Sequence, residues 1–192
     1  MSFRPALVLL LAASFACAQA PATQQPAAPA TPQATTSSMP AAKPGDVDSI
    51  DHIIAAVYDV ISGPAGQARD WDRFRSLFIP EGRLIPNTVR PDGTVVRRVL
   101  SVDEFASRSG AATAQQGFFE NELSRKQEVF DNIAHIFSTY ESRHEKGGQP
   151  FARGINSFQL LRDGQRWYIV TIMWEAESPK VPIPAEYQKG TH

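Results

Sequence analysis

The sequence holds a single cysteine, Cys17, close to its start. With no second thiol, an internal disulfide and a thiolate metal cage are excluded, so stability has to come from packing. Long apolar runs are missing too. The longest, Ala6 to Ala16, is well short of the roughly 20 residues that span a bilayer, and stable membrane insertion is not expected. Nor is there an excess of charge of either sign: 19 basic against 20 acidic residues give a formal charge of -1, with no basic stripe to neutralise phosphates. Nucleic acid is therefore not an expected partner. There is no P-loop, no G-x-S-x-G elbow and no dinucleotide fingerprint, and His52, His135, His144 and His192 do not have the spacing of metal ligands. No metal and no cofactor are expected.

What is present divides the 192 residues into four parts. Residues 1–18 carry Arg4, the short apolar run and the small-residue pattern Ala16-Cys17-Ala18, which together read as a cleavable signal peptide. Export to a periplasmic or extracellular space follows. A lipoprotein anchored through Cys17 is the minor alternative, since Ser14-Phe15-Ala16 lacks the leucine expected before a lipidated cysteine. Residues 19–45 form a linker rich in Pro, Ala, Thr and Gln that cannot bury enough surface to offset its ordering entropy. A folded domain is expected over residues 46–178, followed by a tail over 179–192.

Within the domain, Ile50, Ile53, Ile54, Val57, Tyr58 and Ile61 form an i, i+3, i+4 stripe that predicts an amphipathic helix, ended by Gly63-Pro64. A second helix follows Asp70 as N-cap, with Trp71, Phe74, Leu77 and Phe78 on one side. Ser101-Val102-Asp103-Glu104 has the form of a capping box and predicts a third. Between these lies a hairpin around Pro91-Asp92-Gly93, and after Gly117 the pattern becomes β: Phe118 to Phe130, Ile133 to Arg143, and two apolar runs around Asp163-Gly164. The expectation is an α+β fold, three N-terminal helices packed on one face of a curved antiparallel sheet.

The register of the last hairpins predicts a site. Pairing Leu161 with Arg166 and His144 with Phe151 sets Tyr58, His135, Thr139, Asn156, Thr171 and Met173 around an apolar concavity facing the helices. His135 and Tyr58 are the candidate acid or base groups. A His135–Glu141 dyad is excluded, because six residues of strand separate them by about 20 Å. Each residue also has a plainer role: a surface histidine, an Asn156–Thr171 hydrogen bond, a packed tyrosine ring. The opposite face collects Tyr168, Val170, Ile172 and Trp174, an apolar stripe suited to a homodimer interface unless the tail covers it. The charged run Glu120 to Glu128 reads as a solvated strand face.

The helix-helix-strand-helix-meander order, Phe78 to Leu84, Asp131-Asn132-Ile133-Ala134 and Asp163 to Val170 resemble the nuclear transport factor 2-like superfamily, and within it the SnoaL-like proteins. The resemblance implies a cone-shaped fold with an internal pocket, frequent homodimers and no obligatory cofactor. Tyr58 matches the helix-one tyrosine of the ketosteroid isomerases, but neither of their carboxyl groups has a counterpart near Ile85 or Gly154. The resulting expectation is an exported domain binding a small apolar or amphipathic molecule. The alternatives are a SnoaL-like isomerase, cyclase or dehydratase using His135 or Tyr58, and a structural association domain.

Overall fold

A computed structural model describes residues 39–188. The expected signal peptide, Cys17, and residues 19–38 of the expected linker lie outside the described residues. The first helix, α1 (Pro44–Val47), places Pro44 at a position where a missing N–H costs nothing, and starts two residues ahead of the expected domain boundary. Met39 and Ala42 already pack against the core. In α2 (Ile50–Ile61) the side chain of Ser49 accepts from the His52 N–H, and the expected stripe buries Ile53, Ile54, Val57 and Tyr58. Asp70 caps α3 (Trp71–Ser76) through the Arg73 N–H, and the Ser101–Glu104 capping box opens α4 (Val102–Gln115) with both reciprocal bonds formed. Arg73 ties the three N-terminal helices together, reaching Asp46 at 2.8 Å and Asp59 at 2.5 Å. The paired guanidinium holds the Asp46 carboxyl below its ordinary range.

Among the described residues, seven strands form one curved sheet. They are β1 (Phe78–Val89), β2 (Val95–Arg97), β3 (Leu100–Ser101), β4 (Phe119–Phe130), β5 (Ile133–Arg143), β6 (Pro150–Asp163) and β7 (Arg166–Ala176). The order is β2-β1-β7-β6-β5-β4, with β3 beside β1. The sheet is mixed where an antiparallel one was expected, because β1 runs parallel to β7, carrying Leu84 alongside Ile172. The helices cover the concave face, where Phe74, Phe78, Phe158 and Ile169 are almost wholly buried. At about 1.5–3 kcal/mol for each such side chain, this cluster dominates the fold's stability.

Bulges in β4, β6 and β7 decide which residues of the meander face the helices. Ser142 pairs with Ala152 but Arg143 with Pro150, leaving Phe151 as an extra residue. From there Ser138 partners Asn156, so every β5 side chain lies on the face opposite to that expected. In the last hairpin Gly164, with a φ of 60°, opens a two-residue turn that pairs Asp163 with Arg166. That two-residue slip preserves parity, and Leu160 meets Ile169 on the concave face. Val170 then bulges, and Ile172 and Trp174 turn inward while Thr171 and Met173 turn outward. A third bulge at Leu123 lies in β4.

Consequently Tyr168, Val170, Ile172 and Trp174 do not share a face, and the expected association stripe does not exist. Ile172 is buried, Trp174 lines the interior cavity, and Tyr168 lies under the Arg166 guanidinium at 3.8 Å. The convex face is instead crossed by the C-terminal segment, where Ile183 is buried and the Tyr187 carbonyl accepts from the hydroxyls of Ser124 and Thr139.

Candidate functional site

Between α2, α3, α4 and the concave sheet lies a cavity of about 520 Å³, a size that takes a small organic molecule. Its walls are mostly aromatic and aliphatic: Trp71 and Phe74 from α3, Phe105 from α4, Phe158 from β6, Trp174 from β7. At the β4–β6 end the lining becomes polar, with Tyr58, Glu120, Tyr140, Ser142 and Asn156. These residues converge because Ser62, just past the end of α2, receives the Glu120 N–H at 3.0 Å and donates to the Tyr58 carbonyl at 2.7 Å, fixing the helix against the start of β4.

A continuous hydrogen-bond chain crosses this end. Arg125 pairs with Glu122 at 2.6 Å and with Asp51 at 2.7 Å, and the Ser138 hydroxyl donates to Glu122 at 2.7 Å. Because the only Ser138 proton goes to that carboxylate, its oxygen must accept from Tyr58 at 2.7 Å. Tyr58 in turn accepts from the Asn156 amide at 3.0 Å, and the same nitrogen donates to Glu120 at 3.2 Å. Ser142 gives Glu120 a second hydrogen bond at 2.7 Å. The Tyr58 proton thus points away from the cavity. Burial, with the negative charge of Glu120 beside it, pushes the Tyr58 phenol far above its ordinary value.

Glu120 has a different environment. Burial raises its carboxyl to about 7, against the opposing effect of the Ser142 and Asn156 hydrogen bonds. Tyr140 stands on the same face, and its hydroxyl makes no side-chain hydrogen bond among the described residues. It too is pushed up, first by burial and then by the charge of Glu120. Gly154 makes room for it: a Cβ there would come within 2.6 Å of the Tyr140 oxygen and 2.3 Å of the Glu175 carbonyl oxygen.

Of the six residues expected to form the site, Tyr58 and Asn156 meet and four lie elsewhere. His135 sits on the convex face, 3.3 Å from the Ser157 hydroxyl and 3.6 Å from Glu128. Thr139 is buried beneath the C-terminal segment, Thr171 lies on the convex face, and Met173 is exposed beside that segment. The Phe151 and Val170 bulges account for all four. Glu120, Ser138, Tyr140 and Ser142 escaped sequence reasoning. Phe118 and Glu120 alternating just ahead of a charged strand is the one signal that could have found the carboxylate, since an aromatic ring sharing its face marks that face as inward. Among the described residues no cluster of three or more acidic, histidine or cysteine side chains could hold a metal, and no helix is long and apolar enough to cross a membrane.

No family model matches the sequence, and no curated protein matches it. Solved structures do resemble it. A protein of unknown function with a cystatin-like fold from Nostoc punctiforme superposes with a TM-score of 0.52 at 12% identity, covering 69% of this chain and 91% of that one. An uncharacterized cystatin-like protein from Caulobacter vibrioides gives 0.50 at 14% identity, covering 69% and 90%. A protein of unknown function from Mycobacterium tuberculosis gives 0.51 at 15% identity, covering 72% and 80%. The chain therefore has a cystatin-like α+β fold, helices packed on a curved, unclosed mixed sheet. At these identities the likeness concerns the fold alone.

Proposed function

We propose that this domain binds a small, largely apolar molecule in its cone, with one polar group of the ligand held between Glu120 and Tyr140. The observation that carries this reading is a carboxylate placed in an aromatic cavity that holds no Lys or Arg among its described lining residues. Such a group costs stability, and structural ion pairs do not leave a carboxyl in that state. Asn156 orients it, and the Tyr58–Ser138–Glu122 chain orients Asn156. We also propose that the domain is exported, on the strength of residues 1–18.

Native mass spectrometry of the protein from its own host tests the binding reading. The expected result is a bound species of a few hundred daltons, retained in His135→Ala, reduced in Asn156→Ala and reduced further in Glu120→Ala. Occupancy that follows His135 and ignores Glu120 would place the site on the convex face instead. A second reading, proton transfer, is favoured by the Glu120 carboxyl near 7, which suits a group that takes and returns a proton at neutral pH. It requires turnover of some substrate with a pH midpoint near that value, abolished by Glu120→Gln.

A further inference from the structure

The cavity is unusual in what its walls carry. Nine lining residues are Phe, Tyr or Trp, one is a carboxylate, and among the described residues none is Lys or Arg. His144 is the one basic side chain in the described lining, Arg125 is held by Glu122 and Asp51, Arg73 by Asp46 and Asp59, and Arg69 donates to the carbonyls of Ile61, Gly63, Pro64 and Gln67. The aromatic residues form a connected wall. Trp71 packs edge-on to Phe74 at 5.5 Å, Phe74 stacks on Phe105 at 5.3 Å, and Phe105 meets Trp174 at 6.0 Å. A second group, Phe118, Phe151 and His144, stands on the other side of the lining, with the His144 and Phe151 rings stacked at 4.0 Å.

An anionic ligand would meet Glu120 with no Lys or Arg in the described lining to offset the repulsion. A neutral ligand would supply no counter-charge and leave the carboxyl to be neutralised by a proton. A positive one would supply the missing counter-charge, and aromatic rings attract a weakly hydrated cation through their quadrupoles, by about 0.5–2 kcal/mol for each well-placed ring. We propose that the cavity selects cationic amphiphiles, small molecules whose substituted ammonium group sits at Glu120 and whose apolar body lies among the Trp and Phe side chains. This inference rests on the cone being a small-molecule site, and it names the chemical class that the site takes. Asn156 fits the same role. Both of its amide protons are engaged, by Tyr58 and Glu120, leaving Oδ1 as a second acceptor for the ammonium methyls or N–H.

Two probes of nearly identical shape isolate the charge: benzyltrimethylammonium and its neutral carbon isostere, neopentylbenzene. Binding of each to the full chain is followed by the fluorescence of Trp71 and Trp174, with chemical-shift perturbation as an independent readout. The expected result is at least tenfold tighter binding of the cation, with the preference falling to about twofold or less in Glu120→Gln while the neutral probe binds as before. Equal or weaker binding of the cation, with neopentylbenzene still bound, overturns the inference and leaves the small-molecule site standing. Failure of both probes to bind overturns both. A cation preference unaltered in a folded Glu120→Gln would also overturn it, because the selectivity would then lie outside the proposed contact. Trp71→Leu provides a second check, since it keeps the volume apolar and is expected to weaken the cation severalfold more than the neutral probe.

Discussion

Glu120 and Glu122 stand two residues apart on the same face of β4, and the regions around them differ in the features that govern a carboxylate. Glu122 is paired with Arg125 and accepts from Ser138 at the solvent edge of the sheet. Glu120 faces an aromatic cavity, with two neutral donors and, among the described residues, no Lys or Arg partner. The first arrangement is how a protein stabilises a half-buried charge, and the second is how it holds one ready for something else. Tyr58 and Asn156 lie between them, so the ion pair at the edge fixes the hydrogen-bond directions that reach Glu120. Strand spacing alone would make the two acids equivalent. Depth in the cone separates them.

Substitutions at the two acids and the groups between them separate the two environments. Glu122→Ala should have the largest effect, since it leaves the largely buried Arg125 with the exposed Asp51 as its one carboxylate partner and frees the Ser138 proton. A loss of about 2–3 kcal/mol in urea unfolding is expected. Tyr58→Phe should cost about 1–2 kcal/mol, because Ser138 and Asn156 each lose a partner in the interior, and it should loosen Asn156 enough to weaken ligand retention.

Glu120→Gln should act in the opposite direction. A carboxyl raised above its unfolded value keeps its stabilising contribution below the unfolded pKa and loses it as pH rises through about 7. The variant should therefore match the parent near pH 4 and exceed it by about 1 kcal/mol at pH 8, less than the full shift would give because the cavity admits water. Thermal melts across that range would check it, and a variant less stable than the parent at pH 8 would argue for a hidden counter-ion. Smallest of all, Tyr140→Phe should change stability by less than about 0.5 kcal/mol, since its hydroxyl has no side-chain partner to strand. It should nevertheless reduce binding of any ligand that uses the oxygen.

The sequence made the scaffold legible wherever a local rule sufficed. The α2 stripe, the Asp70 cap and the Ser101–Glu104 box formed as their patterns require, because helix periodicity and capping depend on neighbours within a turn. The Asp163-Gly164 hairpin formed for the same reason. The site was far less legible, because facing depends on the count of residues between turns, and each bulge adds one. Phe151 and Val170 carry no mark that distinguishes them from regular strand residues. Yet the first moves Thr139 out and Ser138 in, and the second exchanges Thr171 and Met173 for Ile172 and Trp174. Asn156 survived because β6 provided the reference for both pairings. Glu120 was masked by its company, a charged strand whose outer half really is solvated.

Glu120 is a cavity carboxyl set apart from its ion-paired neighbour, and its own titration is the decisive measurement of that difference. With glutamate side-chain carboxyl carbons labelled and Glu120→Gln used for assignment, the Glu120 resonance should titrate with a midpoint near 7 in the ligand-free protein. A midpoint near the ordinary glutamate value of about 4.3 would instead show Glu120 to be as well compensated as any surface acid.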